Sequence, residues 1–221
     1  MTMRLSPRYI AWSMDTSLTR GRHLLPGFIG NSNRIVVGIS GASGAVYGCR
    51  LLEALRHQGF ETHVVISRAG RRTLAEEVDG GYETVRSLST VLYPVTDIGA
   101  AIASGSFQTR GMIIAPCSIR SAAEISTGMT TSLLTRAADV NLKERRPVIL
   151  MVRESPLHTG HLRMLANLSE IGAIIAPPMP AFYIRPQSLD DIVNHSVGRV
   201  LDLLGIDNQL AHRWSGQSPT E

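Results

Sequence analysis

From Arg34 onward the apolar positions of this chain fall into two alternating rhythms. Residues 34–40 (RIVVGIS) are a short apolar, β-branched run that stops at a glycine-rich turn. Residues 45–58 then carry apolar side chains at helical spacing, with Val46, Leu51, Leu52 and Leu55 on one stripe. The pattern repeats: residues 61–67 predict a second strand and 68–78 a second helix. Residues 91–95 are a weaker strand and 111–116 (GMIIAP) a clear one, followed by helical segments over 121–125 and 131–142. Residues 147–152 (PVILMV) read as a buried strand, 161–171 as a helix and 173–176 (AIIA) as a last strand. An amphipathic helix over 189–204 closes the series, turning Ile192, Val193, Val197, Val200, Leu201 and Leu204 inward.

Strands that are continuous apolar runs, each followed by a helix, mean a parallel sheet covered on both faces. The expected fold is a three-layer α/β domain, Rossmann-like or flavodoxin-like, with a mainly parallel sheet and helices on both faces. No repeat or linker divides residues 34–206, so they are expected to form one domain, with 207–221 as a mobile tail. Residues 1–33 have no sustained periodicity and set Arg4, Arg8, Arg20 and Arg22 against a single acid, Asp15. They read as a leader: a flexible tail or a start placed too early, with Met14 also able to serve. An arginine-rich, acid-poor leader also has the composition of a mitochondrial transit peptide.

Composition narrows the functional classes. Of the 221 residues 43% are hydrophobic and 18% charged, and no uninterrupted apolar stretch approaches the ~18–20 residues of a membrane span. A soluble cytoplasmic protein is expected. The formal charge of +4 invites a nucleic-acid reading, but the bases are dispersed and aromatics are only 5%, so no basic face is interleaved with stacking rings. An anionic small-molecule substrate accounts for the same excess. Cys49 and Cys117 make neither metal-ligand spacing nor a disulfide framework. Of the 22 basic residues all but Lys143 are arginine, so either a compact ammonium is wanted at that position or the lysine is a chance survivor on a solvated face.

In open α/β sheets ligands sit beyond the C-terminal ends of the strands, and those ends carry the candidate chemistry here. The first strand runs into Ser40-Gly41-Ala42-Ser43-Gly44, small residues before a helix N-terminus, where backbone N–H groups can meet an anion or a flat ring. The glycine intervals are not those of a dinucleotide fingerprint. The second strand ends at Ser67 and Arg68 rather than at an acid, which suits a phosphate and favours a mononucleotide over a nicotinamide dinucleotide. The 111–116 strand leads to Cys117-Ser118-Ile119-Arg120-Ser121, in which Ser118 and Ser121 either meet a ligand or cap the next helix. Cys117 is expected to be a small buried residue, not a nucleophile.

The densest signal is five cations within residues 136–153: Arg136, Lys143, Arg145, Arg146 and Arg153. Arg145 and Arg146 read as a solvated helix C-terminus. Arg153 and Glu154 follow a strand, where a carboxylate among cations can carry protons while its neighbours hold phosphate. Asp190-Asp191, after Pro186-Gln187-Ser188, are assigned to the first turn of a helix rather than to a metal. None of the seven histidines falls in an HxxxH spacing, and no metal is expected.

Taken in order, VGISGASGAVYG, THVVIS, ASGSFQTRGMIIAPCS, LLTRAADVNLKERRPVIL, VRESPLH, PPMPAFYIRPQSLDD and VGRVLDLLGI resemble the flavin prenyltransferases of the UbiX type, historically described as 3-polyprenyl-4-hydroxybenzoate decarboxylases. The resemblance spans residues 34–206 and leaves the leader out. It implies a flavodoxin-like fold assembled as a dodecamer with FMN near subunit interfaces. It implies that Gly41, Ala42, Ser43, Ser67, Ser118, Ile119, Arg120, Ser121 and Arg153 bind FMN, and that Tyr183, Arg199, Lys143 and Arg136 hold dimethylallyl phosphate. Glu154 is implied as the proton shuttle, with Ser43, Lys143 and Glu77 completing the catalytic set. Reduced FMN is the implied co-substrate, prenylated at N5 and C6 without a metal, and a UbiD-type decarboxylase the implied acceptor of the product, in ubiquinone biosynthesis or aromatic acid decarboxylation. Arg120 stands where relatives often carry Lys or Gly, which puts its side-chain contact to the flavin in doubt.

Two rival readings have distinguishable sequence requirements. A flavin-dependent cysteine decarboxylase wants a histidine near the first helix and a Pro-x-Met-Asn segment. Here His57 lies at the helix's far end, and Pro178-Met179-Pro180-Ala181 lacks the asparagine. A non-catalytic FMN-binding subunit needs the flavin contacts but not Lys143, Glu154, Tyr183 and Arg199 together.

Overall fold

The computed structural model describes residues 32–211 together with Arg213, Trp214 and Gly216. The leader expected over residues 1–33 therefore lies almost wholly outside the described residues. The described chain alternates strand and helix: β1 (Arg34–Ile39), α1 (Ala45–His57), β2 (Glu61–Ile66), α2 (Arg68–Glu77), α3 (Gly81–Leu88), β3 (Val91–Tyr93), β4 (Gly111–Cys117), α4 (Ile119–Ser126), α5 (Leu133–Lys143), β5 (Val148–Val152), α6 (Thr159–Glu170), β6 (Ala173–Ile175) and α7 (Leu189–Leu203).

The strands form one six-stranded sheet in the order β3-β2-β1-β4-β5-β6, and every pair is parallel. Without the short edge strand β3 the order is that of a flavodoxin-like sheet, and the strand order reverses between β1 and β4. The period-2 geometry of a strand sends alternate side chains to opposite faces. Ile35, Val37 and Ile39 join a core with Leu51, Leu55 and Leu74 and with Val197 and Leu201 of α7. Val36 joins the other core, with Ile114, Leu134, Ala138 and Leu168. Helices α1, α2, α3 and α7 thus cover one face and α4, α5 and α6 the other, as the apolar runs predict.

Two features depart from the sequence reading. Helix α3 was not foreseen, because in GYETVRSL only Gly81 and Val85 are buried and the stripe is too thin to announce a helix. Arg146 was placed on a solvated helix C-terminus, but it is buried, 9% exposed. The reason is local. Arg145 adopts φ 58 just past α5, a left-handed turn that ends the helix and folds the next residue back under it. The Arg146 guanidinium then donates to the carbonyls of Gly105 (2.6 Å) and Phe107 (2.8 Å), fastening the segment that leads into β4.

Helix α7 continues into a turn seated against its own side. Asn208 donates to the carbonyl of Gly198 (3.0 Å) and accepts from the N–H groups of Leu210 and Ala211 (3.1 and 3.3 Å). Gly198 makes this possible, since a Cβ there would collide with the backbone nitrogen of Ala211. Among the described residues no helix is long and apolar enough to cross a membrane.

Truncating Arg146 to Ala removes a buried charge-assisted pair of hydrogen bonds and strands two carbonyls. The expected cost is roughly 2–3 kcal/mol, read as a clear fall in the midpoint of thermal or urea unfolding, while Arg145→Ala on the exposed turn changes the midpoint far less.

Candidate functional site

The site grows from the point where the strand order reverses. Ser40, fully buried at the exit of β1, donates its hydroxyl to the carbonyl of Pro116 (2.8 Å) and accepts from the N–H of Ser118 (2.7 Å). One side chain thus ties the exits of β1 and β4 together. Helix α2 closes on the same point because two of its contacts tolerate no side chain. A Cβ on Gly41 would strike Ala69, and one on Gly70 would lie 2.6 Å from the carbonyl of Ile39.

Above this junction is a cavity of about 340 Å³ bounded by the first turns of three helices. Ser67 caps α2 by accepting from the N–H of Gly70, Ser118 caps α4 by accepting from Ser121, and Ser132 and Thr135 form a capping box on α5. Three helix N-termini with their positive dipole ends and outward N–H groups make a ready anion site. Ala69, Val95 and Leu134 supply an apolar wall, and Arg68 and Arg120 stand at the rim. A flat apolar ring with a polar edge and a phosphate tail fits this combination. Of the residues expected to hold FMN, Gly41, Ser67, Ser118, Arg120 and Ser121 line the cavity. Ile119 instead packs partly into the core beneath α4, and the Arg120 side chain, highly exposed, pairs with Glu124 (3.0 Å).

A second cluster sits beside the first, at the start of α1. The sequence reads this loop and helix N-terminus as able to meet an anion or a flat ring, and within the chain two of its N–H groups meet a carboxylate. The Glu77 carboxylate accepts from the N–H of Gly44 (2.8 Å) and of Ala45 (2.9 Å). Desolvation pushes the Glu77 carboxyl up, but the hydrogen bond from Ser43, the two backbone N–H groups and the charge of Arg153 outweigh it and hold it below its ordinary value. Ser43, Glu77 and Arg153 are therefore brought together, from three separate elements.

Tyr47, one turn into α1, joins them from the other side. Burial raises its phenol above the ordinary value, partly offset by a hydrogen bond with Ser196 and the charge of Arg153. Glu154 lies exposed immediately after β5 and accepts from the N–H of Ser155 (3.0 Å). Burial pushes the Cys117 thiol up to about 12 and, with the charge of Glu53, the Cys49 thiol up to about 11, which leaves neither available as a thiolate near neutral pH.

The four residues expected at the prenyl phosphate are not brought together in one chain. Tyr183 and Arg199 face a shared cavity beside α7. Helix α5 begins at the three-helix cavity and runs the other way, roughly 16 Å for its length, so Lys143 ends at the opposite edge of the sheet. There its ammonium lies by Gly105, ahead of β4, and pairs with Glu144. Arg136 is half-buried on α5 and pairs with Asp139 (3.0 Å). Asp190 and Asp191 occupy the first turn of α7, with Asp191 completing a capping box with Ser188. Among the described residues no group of three or more His, Cys, Asp or Glu is arranged to hold a metal ion.

Sequence reasoning missed Tyr47, Glu124 and the α5 capping pair, whereas Arg68, read at the end of the second strand as suiting a phosphate, does line the cavity. Of those missed, only the capping pair had a readable signal, Ser-x-x-Thr before an apolar run.

The Flavoprotein family profile matches residues 30–201. The flavin prenyltransferase UbiX of Escherichia coli K12 is 56% identical over 186 residues, covering 83% of this chain and 98% of the relative. The mitochondrial flavin prenyltransferase PAD1 of Saccharomyces cerevisiae is 45% identical over 215 residues, 97% of this chain and 87% of the relative. Among solved structures, AnUbiX (PadA1) in complex with FMN and dimethylallyl pyrophosphate superposes with a TM-score of 0.83 at 42% identity, covering 85% of this chain and 100% of that one. A dodecameric FMN-dependent UbiX-like decarboxylase from Escherichia coli O157:H7 superposes at 0.81 with 44% identity, covering 83% and 100%.

Because the folded-state Glu77 carboxyl titrates below its ordinary 4.5, its stabilising contribution is present above that value and is lost as pH falls through the lower folded one. Glu77→Gln is expected to melt below wild type at pH 7, with the gap closing as the pH is taken under 4.5. Thermal unfolding across pH 3–7 checks both points.

Proposed function

The chain belongs to the Flavoprotein family as one of its flavin prenyltransferases, and we propose that it joins dimethylallyl monophosphate to reduced FMN and releases prenylated FMN. The observation that carries the reading is the three-helix anion cavity at the exits of β1, β2 and β4, which suits FMN, with Ser43, Glu77 and Arg153 gathered beside it. A separate cavity beside α7, holding Tyr183 and Arg199, suits the phosphate of a second substrate.

Reduced FMN, when bound, supplies the nucleophilic nitrogen and ring carbon that accept the C5 unit. What the protein adds is placement and charge. Ser67, Ser118 and Ser121, with the N-termini of α2 and α4, hold the flavin, Gly41 and Ala42 let the backbone approach it, and Ser43 orients its reacting edge. Arg199 and Tyr183 bind the prenyl phosphate and stabilise the charge that builds on it as the allylic C–O bond breaks, the part a metal takes in other prenyl transfers. Glu154, at the exit of β5 and free of the capping duty that fixes Glu77, carries the proton.

Lys143 reaches this chemistry from a second copy of the chain, whereas Arg136 sits in the first turn of α5, beside the three-helix cavity. Within one copy Lys143 stands at the far edge of the sheet, and the dodecameric relative supports an assembly in which that edge meets a neighbour's site. The product leaves for a UbiD-type decarboxylase, the class that consumes such a modified flavin. We place the enzyme in the cytoplasm. A mitochondrial address in the leader is the second reading, favoured by its arginine-rich, acid-poor composition and by the yeast relative, whose match takes in 97% of the chain.

Anaerobic incubation with reduced FMN and dimethylallyl monophosphate is expected to yield a flavin heavier by one C5 unit, seen by mass analysis. Glu154→Gln and Lys143→Ala should each lower the rate ~10²–10³-fold. Unchanged FMN recovered from the folded, FMN-loaded wild type would sink the enzyme reading in favour of a binding subunit. Co-assembled Glu154→Gln and Lys143→Ala chains should recover about a quarter of the wild-type rate, the share of sites drawing both intact residues from different copies. No recovery on mixing would place the two residues in one chain.

A further inference from the structure

The three-helix cavity contains a carboxylate that an anion site does not need. Glu124, on α4, lines it together with Thr131, Ser132 and Thr135 at the start of α5. Its side chain is only 16% exposed, and both of its oxygens are engaged. One accepts from Nε of Arg120 (3.0 Å) and the other from the hydroxyl of Thr131 (2.7 Å), the residue just ahead of the Ser132 cap of α5. The acid is thus fixed from α4 on one side and from the approach to α5 on the other.

The consequence for charge is specific. Of the two arginines at the rim, Arg120 is paired with Glu124, while Arg68 has no ion-pair partner among the described residues. The Arg120–Glu124 pair carries no net charge, so the attraction of the cavity for an anion rests on Arg68 and the helix dipoles. A phosphate that enters is drawn by these and repelled by Glu124. A unit charge lining the same cavity as a phosphate is worth about tenfold in affinity at the effective dielectric of a protein cleft.

Prenyl transfer alters the ring system of the flavin and leaves its phosphate tail as it was. The tail is therefore held equally in FMN and in the product, and whatever tightens binding of one delays departure of the other. We propose that Glu124 weakens the hold of the cavity on the flavin phosphate by occupying Arg120, so that the flavin is exchanged as a substrate and does not stay as a resident cofactor. The role in release rests on the prenyl-transfer reading, whereas the effect on phosphate affinity does not.

Glu124→Gln isolates the charge, because the amide keeps its shape and an oxygen for Thr131 while Arg120 loses its countercharge. Titration with FMN and with riboflavin, followed by flavin fluorescence, separates the phosphate from the rest, since riboflavin has the same ring and ribityl chain. FMN is expected to bind about tenfold more tightly in Glu124→Gln and riboflavin as in wild type, with the gain shrinking in high salt. Arg120→Ala leaves the carboxylate uncompensated and is expected to weaken FMN binding, and adding Glu124→Gln to it should recover that loss. Unchanged FMN affinity in Glu124→Gln overturns the proposal. So does an equal shift for riboflavin, which marks a change of shape and not of charge. With dimethylallyl monophosphate supplied, the ratio of the first-turnover rate to the steady-state rate is expected to be larger in Glu124→Gln than in wild type, and an unchanged ratio overturns the role in release. A wild type that makes no prenylated flavin removes that role together with the prenyl-transfer reading, while the comparison of FMN with riboflavin still decides the effect of the charge.

Discussion

A sheet whose strands all point one way fixes where everything else in this protein can be. Each parallel neighbour must be reached by a crossover, and each crossover helix that starts just beyond its strand begins at the same edge of the sheet. Positive dipole ends and unsatisfied N–H groups therefore accumulate at that edge, and the reversal of strand order between β1 and β4 opens a crevice to hold what they attract. The serines at 67, 118 and 132 each satisfy one N–H by capping, and the dipoles that remain still favour a phosphate. At α1 the same requirement is met by Glu77, so this helix end is neutralised from within and serves as a rigid support. The division of labour among helix ends follows from which of them has a carboxylate within reach.

The same constraint explains why one copy of the chain does not gather the residues expected at the prenyl phosphate. A helix that starts at the ligand edge must finish at the other, so residues 136–153, dense with cations in sequence, are dispersed in space. Arg153 returns to the ligand edge at the end of β5. Lys143, at the end of α5, cannot, and Arg146 is drawn into the interior to hold the approach to β4. Two copies placed edge to edge bring opposite ends of the layer together, which a single copy of this fold has no means to do.

The order and type of most elements were legible in the chain because buried parallel strands are unbroken apolar runs and their helices carry one-sided stripes. Helix α3 was not, since two buried residues in eight leave no stripe. At the site, residues set by backbone need, such as Gly41, Ser67 and Ser118, were readable from their place after a strand. Tyr47 was not, because what matters about it is a neighbour far off in sequence, Ser196, which bonds the phenol. Arg146 was misread for a related reason. Its burial depends on the left-handed conformation of Arg145, which no charge pattern encodes.

A shared feature of the cations proposed for the prenyl phosphate bears on how such a site would turn over. Arg136, Lys143 and Arg199 each have an acid of the same chain at hand: Asp139, Glu144 and Asp202. A phosphate that engages them competes with a carboxylate already in place, so the binding free energy it gains is a difference between two ion pairs and not the full value of either. That difference lowers affinity for the ground state and for the released phosphate alike. What it does not lower is the response to charge that builds up only as the allylic bond opens, because the carboxylates do not gain charge in that step. Pairing each cation with its own acid thus trades binding of substrate and product for selectivity toward the transition state, and it keeps the guanidinium groups oriented while the site is waiting to be filled.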